Sequence, residues 1–204
     1  MEVVMRQPVA ADLGAILVIR GGAPSDEQIG LAGGDAGRAV RFRDGLLRIS
    51  YDAPTIAQTT LALRDGEPVG LLQAGREMDD AISMRIIVLT LRVYGPVGAL
   101  RMLSREKARQ RVSFGAPEDA YHIAELHVAE AWRGHGIGAA MLEHGERAAR
   151  DSGYRKMSLT TTLSNPARRL YERAGFRVVE TRTDAEYERI TGIPGRVLMI
   201  KELA

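Results

Sequence analysis

The chain has 204 residues, enough for one globular domain, and its 45% of apolar residues can fill an ordinary core. The formal net charge of +2 is far from the basic excess of a dedicated nucleic-acid-binding protein. There is no cysteine, which excludes disulfides, thiolate metal sites and a covalent cysteine mechanism. The N-terminus lacks a signal-peptide pattern, so we expect a cytoplasmic protein with no nucleic-acid or membrane partner.

The N-terminal part of the chain predicts a short strand and two helices. Residues 1–6 read as the strand, and an apolar helix follows Pro8 and reaches about Ile19. Residues 21–37 are rich in glycine, and we expect a loop around a short helix that begins near Ser25, a suitable N-cap.

A β-hairpin is predicted next. Residues 59–64 and 68–74 favour strands, and the dipeptide Asp65-Gly66 between them is typical of a tight two-residue turn. The two strands should therefore be antiparallel neighbours in the sheet.

Residues 81–111 have a different composition, first apolar and then rich in arginine. The dipeptide Gly95-Pro96 interrupts them, which predicts two helices that meet there. The apolar run at residues 86–91 is far too short to span a bilayer, which needs about 20 residues. The basic residues indicate either a solvated helical face, which we favour, or contact with an anionic partner.

From residue 121 onward, strands and helices alternate, which is typical of a sheet with helices packed on it. Gly153 is placed to end the first of these helices, Asn165 to cap the second and Gly175 to end it. The predicted strands cover residues 121–128, 156–162, 176–182 and 196–201, and the predicted helices cover residues 137–152 and 166–174.

The loop between the strand at 121–128 and the next helix has the composition of a phosphate site. Its sequence, Arg-Gly-His-Gly-Ile-Gly-Ala, begins at Arg133. Glycines allow successive backbone N–H groups to converge, and a helix start adds unsatisfied donors and partial positive charge. Arg133 can add a charge-assisted contact. The alternative interpretation is that these residues form only a strand-to-helix turn that binds no ligand.

Two other phosphate motifs can be excluded from the sequence. A P-loop requires Gly-Lys followed by Ser or Thr, which the loop lacks. A dinucleotide fingerprint fits Gly134, Gly136 and Ala139, but it requires an acidic residue about 20 positions further on. No acid occurs between Asp151 and Glu172, so we reject the dinucleotide interpretation.

At this point the sequence resembles the GNAT superfamily of acetyl-CoA-dependent N-acetyltransferases. The family signature, Arg/Gln-x-x-Gly-x-Gly/Ala, is met by Arg133, Gly136 and Gly138. Residues 124–128 resemble the family's fourth strand, and residues 165–176 resemble its Asn…Ala…Leu-Tyr…Gly-Phe segment. Three motifs in the right order are much more specific than any one of them.

The resemblance implies roles for individual residues. Backbone groups of Leu126 and Val128 would pair with the pantetheine arm of acetyl-CoA, Asn165 would contact that arm near the next strand, and Tyr171 would stand close to the sulfur as the acid for the leaving thiolate. The amides that would hold the pyrophosphate belong to Arg133, Gly134, His135, Gly136, Ile137, Gly138 and Ala139.

Acetyl transfer to an amine also needs a proton acceptor and a donor to the oxyanion. Glu125 is the first candidate for the base or amine-binding residue, because a charged group in an apolar strand must face a cleft or carry a partner. His127 shares its face, and His122 lies on the other face unless a bulge breaks the alternation; both histidines are backup candidates. The Val128 N–H could serve the oxyanion.

We therefore expect one α/β (α+β) domain over residues 1–204, with a mixed, mostly antiparallel sheet of six or seven strands flanked by helices on both faces. Residues 120–180 would form the cofactor-binding core and residues 81–111 a helical insertion. The expected reaction is direct transfer from acetyl-CoA to an unidentified amine in a ternary complex, without a metal. A homodimer is left open. The alternatives are a non-catalytic acyl-CoA-binding or sensing module, and an interaction protein that uses the helices at 81–111.

Overall fold

The computed structural model describes residues 3–50, 53–75 and 84–203, and these form one seven-stranded sheet with helices on both faces. The strand order is β1-β2-β3-β4-β5-β7-β6, and every neighbouring pair is antiparallel except β4 with β5. The strands are β1 Val4–Arg6, β2 Thr59–Arg64, β3 Glu67–Gly75, β4 Tyr121–Val128, β5 Lys156–Thr162, β6 Arg177–Thr183 and β7 Gly195–Glu202. The predicted fold class is confirmed.

The helices of the described residues include all those that the sequence predicted and others that it did not. Their bounds are α1 Leu13–Arg20, α2 Asp26–Leu31, α3 Ala36–Ser50, α4 Ala53–Ala57, α5 Met84–Val112, α6 Ile137–Asp151, α7 Arg168–Arg173 and α8 Ala185–Thr191. Ser25 caps α2 as expected, because its hydroxyl accepts a hydrogen bond from the Gln28 N–H at 3.3 Å. Residues 1–2 of the first predicted strand and residues 81–83 of the predicted insertion lie outside the described residues.

The two faces of the sheet are filled by different helices. Leu72 of β3 packs in the large core cluster with Met141 of α6, whereas the adjacent Leu71 packs with Ile16 of α1 and Leu47 of α3. Successive side chains of a strand point to opposite faces, so α6 covers one face and α1 with α3 covers the other. Residues of β4 therefore present alternate side chains to two different environments.

The hairpin prediction is confirmed. Strands β2 and β3 pair antiparallel, and both turn residues have a positive φ, 52° at Asp65 and 83° at Gly66. Two positive φ angles define the turn type whose twist matches a two-residue hairpin.

Helix α5 consists of two segments, as the sequence predicted. Gly95 has φ 67° and ψ 172°, which are not helical, and Pro96 follows it. The helix nevertheless contains an 18-residue window of mean hydropathy 1.5, long and apolar enough to cross a membrane by length and composition alone. Much of that apolar surface is not used by the fold, because Met84 is 72% exposed and Leu100 is 69% exposed.

Four of the described α-helices differ from the sequence prediction. Helices α3, α4 and α8 were not predicted, and α3 contains glycines at 37 and 45 that lower its helix propensity. Gly45 has a packing reason: a Cβ there would lie 2.5 Å from Leu89 Cδ1 of α5, so glycine lets the two helices approach closely. Helix α7 is shorter than predicted, since the turn at residues 165–167 precedes it.

Candidate active site

The sheet opens between β4 and β5. Their parallel pairing covers three residue pairs, the last of which is Ile123 with Leu159. Beyond these residues β4 continues along β3 as far as Val128, and β5 continues along β7 as far as Thr162. The two strand ends therefore diverge and leave a gap in the middle of the sheet.

A β-bulge precedes the gap and breaks the side-chain alternation of β4, as the sequence analysis allowed. Ile123 pairs with Ala74 but Glu125 pairs with Gln73, so Ala124 is the extra residue. Beyond the bulge the ladder is regular, and the Ala129 N–H donates to the Val69 carbonyl at 2.9 Å.

This hydrogen bond determines where the neighbouring backbone groups point. Hydrogen-bonding groups alternate between the two sides of a strand, so Ala129, His127 and Glu125 face β3. The N–H and C=O groups of Leu126 and Val128 consequently face the gap, where β5 has moved away.

The glycine-rich loop lies directly after β4 and leads into α6. Gly134 and Gly136 both have φ 79°, and Gly136 is the N-cap residue of α6, with no side chain bonded to the exposed helix start. A Cβ at either glycine would meet no atom within 4 Å. The N–H groups of Gly134, His135 and Gly136 have no backbone partner within the described residues, and together with the first N–H groups of α6 they form the kind of arrangement that binds anions. The Arg133 N–H is the exception to the prediction, because it donates to the Glu130 carbonyl at 3.2 Å.

Neighbouring side chains hold the loop in place. His135 Nδ1 lies 2.9 Å from the Arg133 carbonyl, and Arg133 Nε donates to the Val128 carbonyl at 3.4 Å. The Trp132 ring packs beside His135, with ring centroids 5.9 Å apart, and under the Arg64 guanidinium, 4.6 Å from the centroid. Trp132 thus packs at the start of the loop.

Gly138 connects the loop to the far wall of the gap. A Cβ at this position would lie 2.9 Å from Leu170 Cδ2 and 3.8 Å from side-chain atoms of Leu126 and Val128. The absence of a side chain lets α7 approach the first turn of α6. The loop, the end of β4 and α7 consequently form one continuous border around the gap.

Tyr171 lies on α7 within the same core. It is 7% exposed and packs edge-on against Phe176, with ring centroids 6.3 Å apart. Its hydroxyl has no hydrogen-bond partner among the residues that the structure describes. Burial raises the pKa of Tyr171 above its usual value, so the side chain is a neutral phenol at physiological pH.

Asn165 holds the turn between β5 and α7. Its Nδ2 donates to Thr161 Oγ1 at 2.6 Å, and its Oδ1 accepts from the Ala167 N–H at 2.9 Å. These contacts fix the direction in which α7 leaves the sheet. The predicted contact with the pantetheine arm stays a prediction.

Glu125 and His127 point to the opposite side, toward α1 and α3. Glu125 forms an ion pair with Arg20 at the end of α1, and the two side chains are 29% and 16% exposed. The second carboxylate oxygen, Oε2, lies 3.6 Å from His127 Nε2. This oxygen is buried and accepts no hydrogen bond from any residue within the described ranges.

Arg20 is a residue that the sequence analysis missed. Its only signal is a charged residue at the end of an apolar helix, and nothing in the sequence connects it with Glu125. Burial and the nearby charge of Arg43 lower the pKa of Arg20 to about 10, so the guanidinium remains protonated at neutral pH.

His127 differs from an ordinary histidine. Burial, together with the charges of Arg20, Arg43 and Arg133, lowers the pKa of His127 to about 4. The imidazole is therefore neutral at pH 7 and a weaker base than the sequence analysis assumed. Glu125 remains the better candidate for contact with an amine.

His122, the remaining histidine of β4, contacts a residue of β5 away from the gap. His122 Nδ1 lies 2.9 Å from Ser158 Oγ, where β4 and β5 are still paired. In the part of the chain that the structure describes, no group of three His, Asp or Glu side chains is arranged to hold a metal ion.

Comparisons with known proteins agree with this geometry. The model of the acetyltransferase (GNAT) family matches residues 38–176. No curated protein matches the chain. Arylalkylamine N-acetyltransferase 2 from Aedes aegypti is similar in structure, with 14% identity over 100% of both chains and a TM-score of 0.65.

Two further solved structures are similar. The PaiA N-acetyltransferase from Thermoplasma acidophilum, in complex with coenzyme A, is 14% identical over 99% of both chains, with a TM-score of 0.57. A variant of agmatine N-acetyltransferase in its apo form is 20% identical over 99% of this chain and 100% of its own, with a TM-score of 0.58. Identities this low support the fold alone. The family match spans more than half of the sequence and includes the open strands, the loop and α7, and the chain belongs to the acetyltransferase (GNAT) family.

Proposed function

We propose that the protein transfers the acetyl group of acetyl-CoA to a primary amine by direct attack in a ternary complex. The observation that carries the proposal is the gap between β4 and β5, with an uncovered glycine-rich loop at its mouth. The names of similar proteins, which include arylalkylamine and agmatine N-acetyltransferases, support an amine as the acceptor class. A cytoplasmic location belongs to the same proposal and rests on the sequence.

Backbone groups would provide most of the binding of acetyl-CoA. The amides of residues 134–139 would hold the pyrophosphate at the start of α6, and the Arg133 side chain would add positive charge. Leu126 and Val128 would pair with the pantetheine arm, because their backbone groups face the gap. Asn165, which lies in the turn between β5 and α7, would contact the same arm.

The acceptor amine would enter from the side of α1. Glu125 Oε2 is a buried acceptor without a hydrogen bond in the described structure, so an amine N–H can occupy it without displacing another donor. The amine nitrogen attacks the thioester carbon, and its proton passes to Glu125 or to water. The Val128 N–H is placed to donate to the oxyanion.

Tyr171 would complete the reaction from the other side of the gap. When the C–S bond breaks, the sulfur leaves with the electron pair and needs a proton. Tyr171 is a neutral phenol with a hydroxyl that no other described residue uses. Its O–H can therefore donate to the departing thiolate, and the proton released by the amine restores it.

A screen of primary amines for release of CoA tests the proposal. The chain has no cysteine, so a thiol reagent detects released CoA without a background from the protein. We expect thiol release that depends on both acetyl-CoA and an amine, with an acetylated amine detected by mass spectrometry. Acetyl-CoA without amine is the control. Tight binding of CoA by calorimetry, with no release on any amine, would instead identify a non-catalytic acyl-CoA-binding module.

A further inference from the structure

Helix α5 presents an apolar surface that the rest of the described structure leaves uncovered. We call this surface the α5 apolar face. Its members are large aliphatic side chains that are 42% to 72% exposed: Met84, Ile87, Val88, Leu91, Val97, Leu100 and Leu103. The members in the first segment lie on neighbouring turns of one helix, and contiguous exposed apolar surface marks a site of interaction with a protein or a membrane.

The spacing of these residues places the exposed apolar side chains of the first segment on one face of the helix. In the first segment the exposed apolar residues are Met84, Ile87, Val88 and Leu91, which follow the i, i+3, i+4, i+7 pattern of one helix face. The opposite face carries Ile86, Leu89 and Val93, which are half-buried, and Leu89 packs against α3 at Gly45. One face of α5 therefore packs on the rest of the fold, and the fold does not require the exposed face to be apolar.

The part of α5 that carries the apolar face has charges of a single sign. From Met84 to Arg105 the helix contains four arginines and no acidic residue. Arg85, Arg92 and Arg101 are exposed. The nearest acids in the sequence are Glu106 and, before the helix, Asp80, which is outside the described residues.

A groove between α3 and α5 adds a second observation. It has a volume of about 370 Å³ and is lined by apolar atoms of Gly45, Ile49, Met84, Val88 and Leu89. The same groove includes Arg85 and Arg92. An apolar groove with cations beside it fits a ligand that combines hydrocarbon with negative charge.

We propose that the α5 apolar face docks on the surface of an anionic lipid bilayer. Helices with an apolar face and arginines on the polar side lie in the plane of such surfaces, with the apolar face at the level of the upper acyl chains. Arg85, Arg92 and Arg101 are placed to contact anionic headgroups, and the α3–α5 groove to receive part of an acyl chain. The sequence alone predicted no membrane partner, and the exposure of these side chains changes that expectation.

Two other arrangements fit the observations less well. Crossing the bilayer is disfavoured because the helix is broken at Gly95, and the segment from Met84 to Tyr94 is about 16 Å long, about half of the hydrocarbon thickness. Packing against the same face of a second copy would bring the arginines of two α5 helices together with no acid between Met84 and Arg105 to balance them.

Co-sedimentation of the full chain with lipid vesicles tests the proposal. The two vesicle types are phosphatidylcholine alone and phosphatidylcholine mixed with phosphatidylserine. We expect binding that is at least about tenfold tighter on the mixed vesicles and weakens with added salt, because the arginines interact with charged headgroups. Equal binding to both vesicle types, or none to either, overturns the proposal.

Variants separate the contributions of the apolar and the basic residues. The double variant Val88→Gln with Leu91→Gln should lose vesicle binding by about tenfold or more, and Arg85→Gln with Arg92→Gln should lose the preference for phosphatidylserine. Val179→Gln on β6 is the matched control, since Val179 is also exposed, at 55%. All are surface changes, so thermal melting should verify that each variant is folded.

Sedimentation velocity without lipid distinguishes a second copy from a membrane. We expect the wild type and the Val88→Gln/Leu91→Gln variant to have the same oligomeric state. A dimer that becomes monomeric in this variant, without vesicle binding by the wild type, would assign the α5 apolar face to a second copy and overturn the proposal. Neither result depends on acetyl transfer, so the test is independent of the proposed function.

Discussion

The two sides of β4 are built in different ways. On the side of α6, the proposed site for acetyl-CoA is made mainly of backbone groups, which are the loop amides at 134–139 and the N–H and C=O groups of Leu126 and Val128 that face the gap. On the side of α1, the proposed amine site is made of side chains, which are Glu125, His127 and Arg20. A site made of backbone requires glycines at fixed spacing, and a site made of side chains does not. The first kind can therefore be recognised in a sequence much more easily than the second.

The largest expected effect separates catalysis from binding on the α6 side. Tyr171→Phe removes a hydroxyl that has no partner elsewhere in the described structure, so stability should change little. If this hydroxyl protonates the leaving thiolate, kcat should fall by about 100-fold or more while CoA affinity stays near normal. Steady-state kinetics and calorimetry measure the two quantities.

The matched control for this change is Tyr154→Phe. Tyr154 packs edge-on against Tyr121, with ring centroids 5.6 Å apart, away from the loop. An equal loss of kcat in both variants would show that Tyr171 contributes packing rather than a proton.

The second-largest expected effect is the loss of stability when the Arg20–Glu125 ion pair on the α1 side is broken. Arg20→Met should lower the free energy of unfolding by about 2 kcal/mol, less than the loss for a fully buried pair because the Glu125 side chain is 29% exposed. It should also raise KM for the amine, since the Glu125 carboxylate loses the group that positions it. Denaturant unfolding and amine kinetics provide the measurements.

A double variant tests whether the pair acts as a unit. Glu125→Gln added to Arg20→Met removes the uncompensated carboxylate, and part of the lost stability should return. Additive losses in the double variant would mean that Arg20 and Glu125 stabilise the protein independently.

A smaller effect probes the backbone of the loop. Gly136→Ala introduces a Cβ at φ 79°, which costs roughly 1–2 kcal/mol of stability although no atom lies within 4 Å of that Cβ. CoA affinity should fall with it, because the strained N-cap residue reorients the amides at the start of α6. Gly115→Ala is the control, since it has equal space and no positive φ. Unchanged CoA affinity in Gly136→Ala would argue against a phosphate site at the loop.

The smallest effect is a pH dependence on the α1 side. The pKa of His127 is lowered to about 4, so the unfolded chain binds a proton there that the folded protein does not. Its contribution to stability is complete above about pH 6.5 and decreases as the pH falls toward 4. Titration of the His127 ring by NMR should show a neutral side chain at pH 6. A midpoint near 6.5 would contradict the environment described for this residue.

The features that were predicted correctly from the sequence are those that depend on local residue patterns. The hairpin at Asp65-Gly66, the break at Gly95 and the loop at Arg133 all depend on φ angles or turn types that particular residues favour, so they were predicted. Helix α3 was missed because Gly45 lowers its helix propensity, while the reason for the glycine is the close approach of Leu89. Tertiary packing outweighed propensity there.

The sequence by itself determined the family and the position of the loop, because backbone geometry at glycines and caps is set by neighbouring residues. Only the tertiary structure decided that Arg20 pairs with Glu125, that His127 is neutral at pH 7 and that one face of α5 remains uncovered. These three features depend on the burial of groups that are distant in the chain. Burial and long-range charge interactions arise only when the helices pack on the sheet, and no local pattern encodes them.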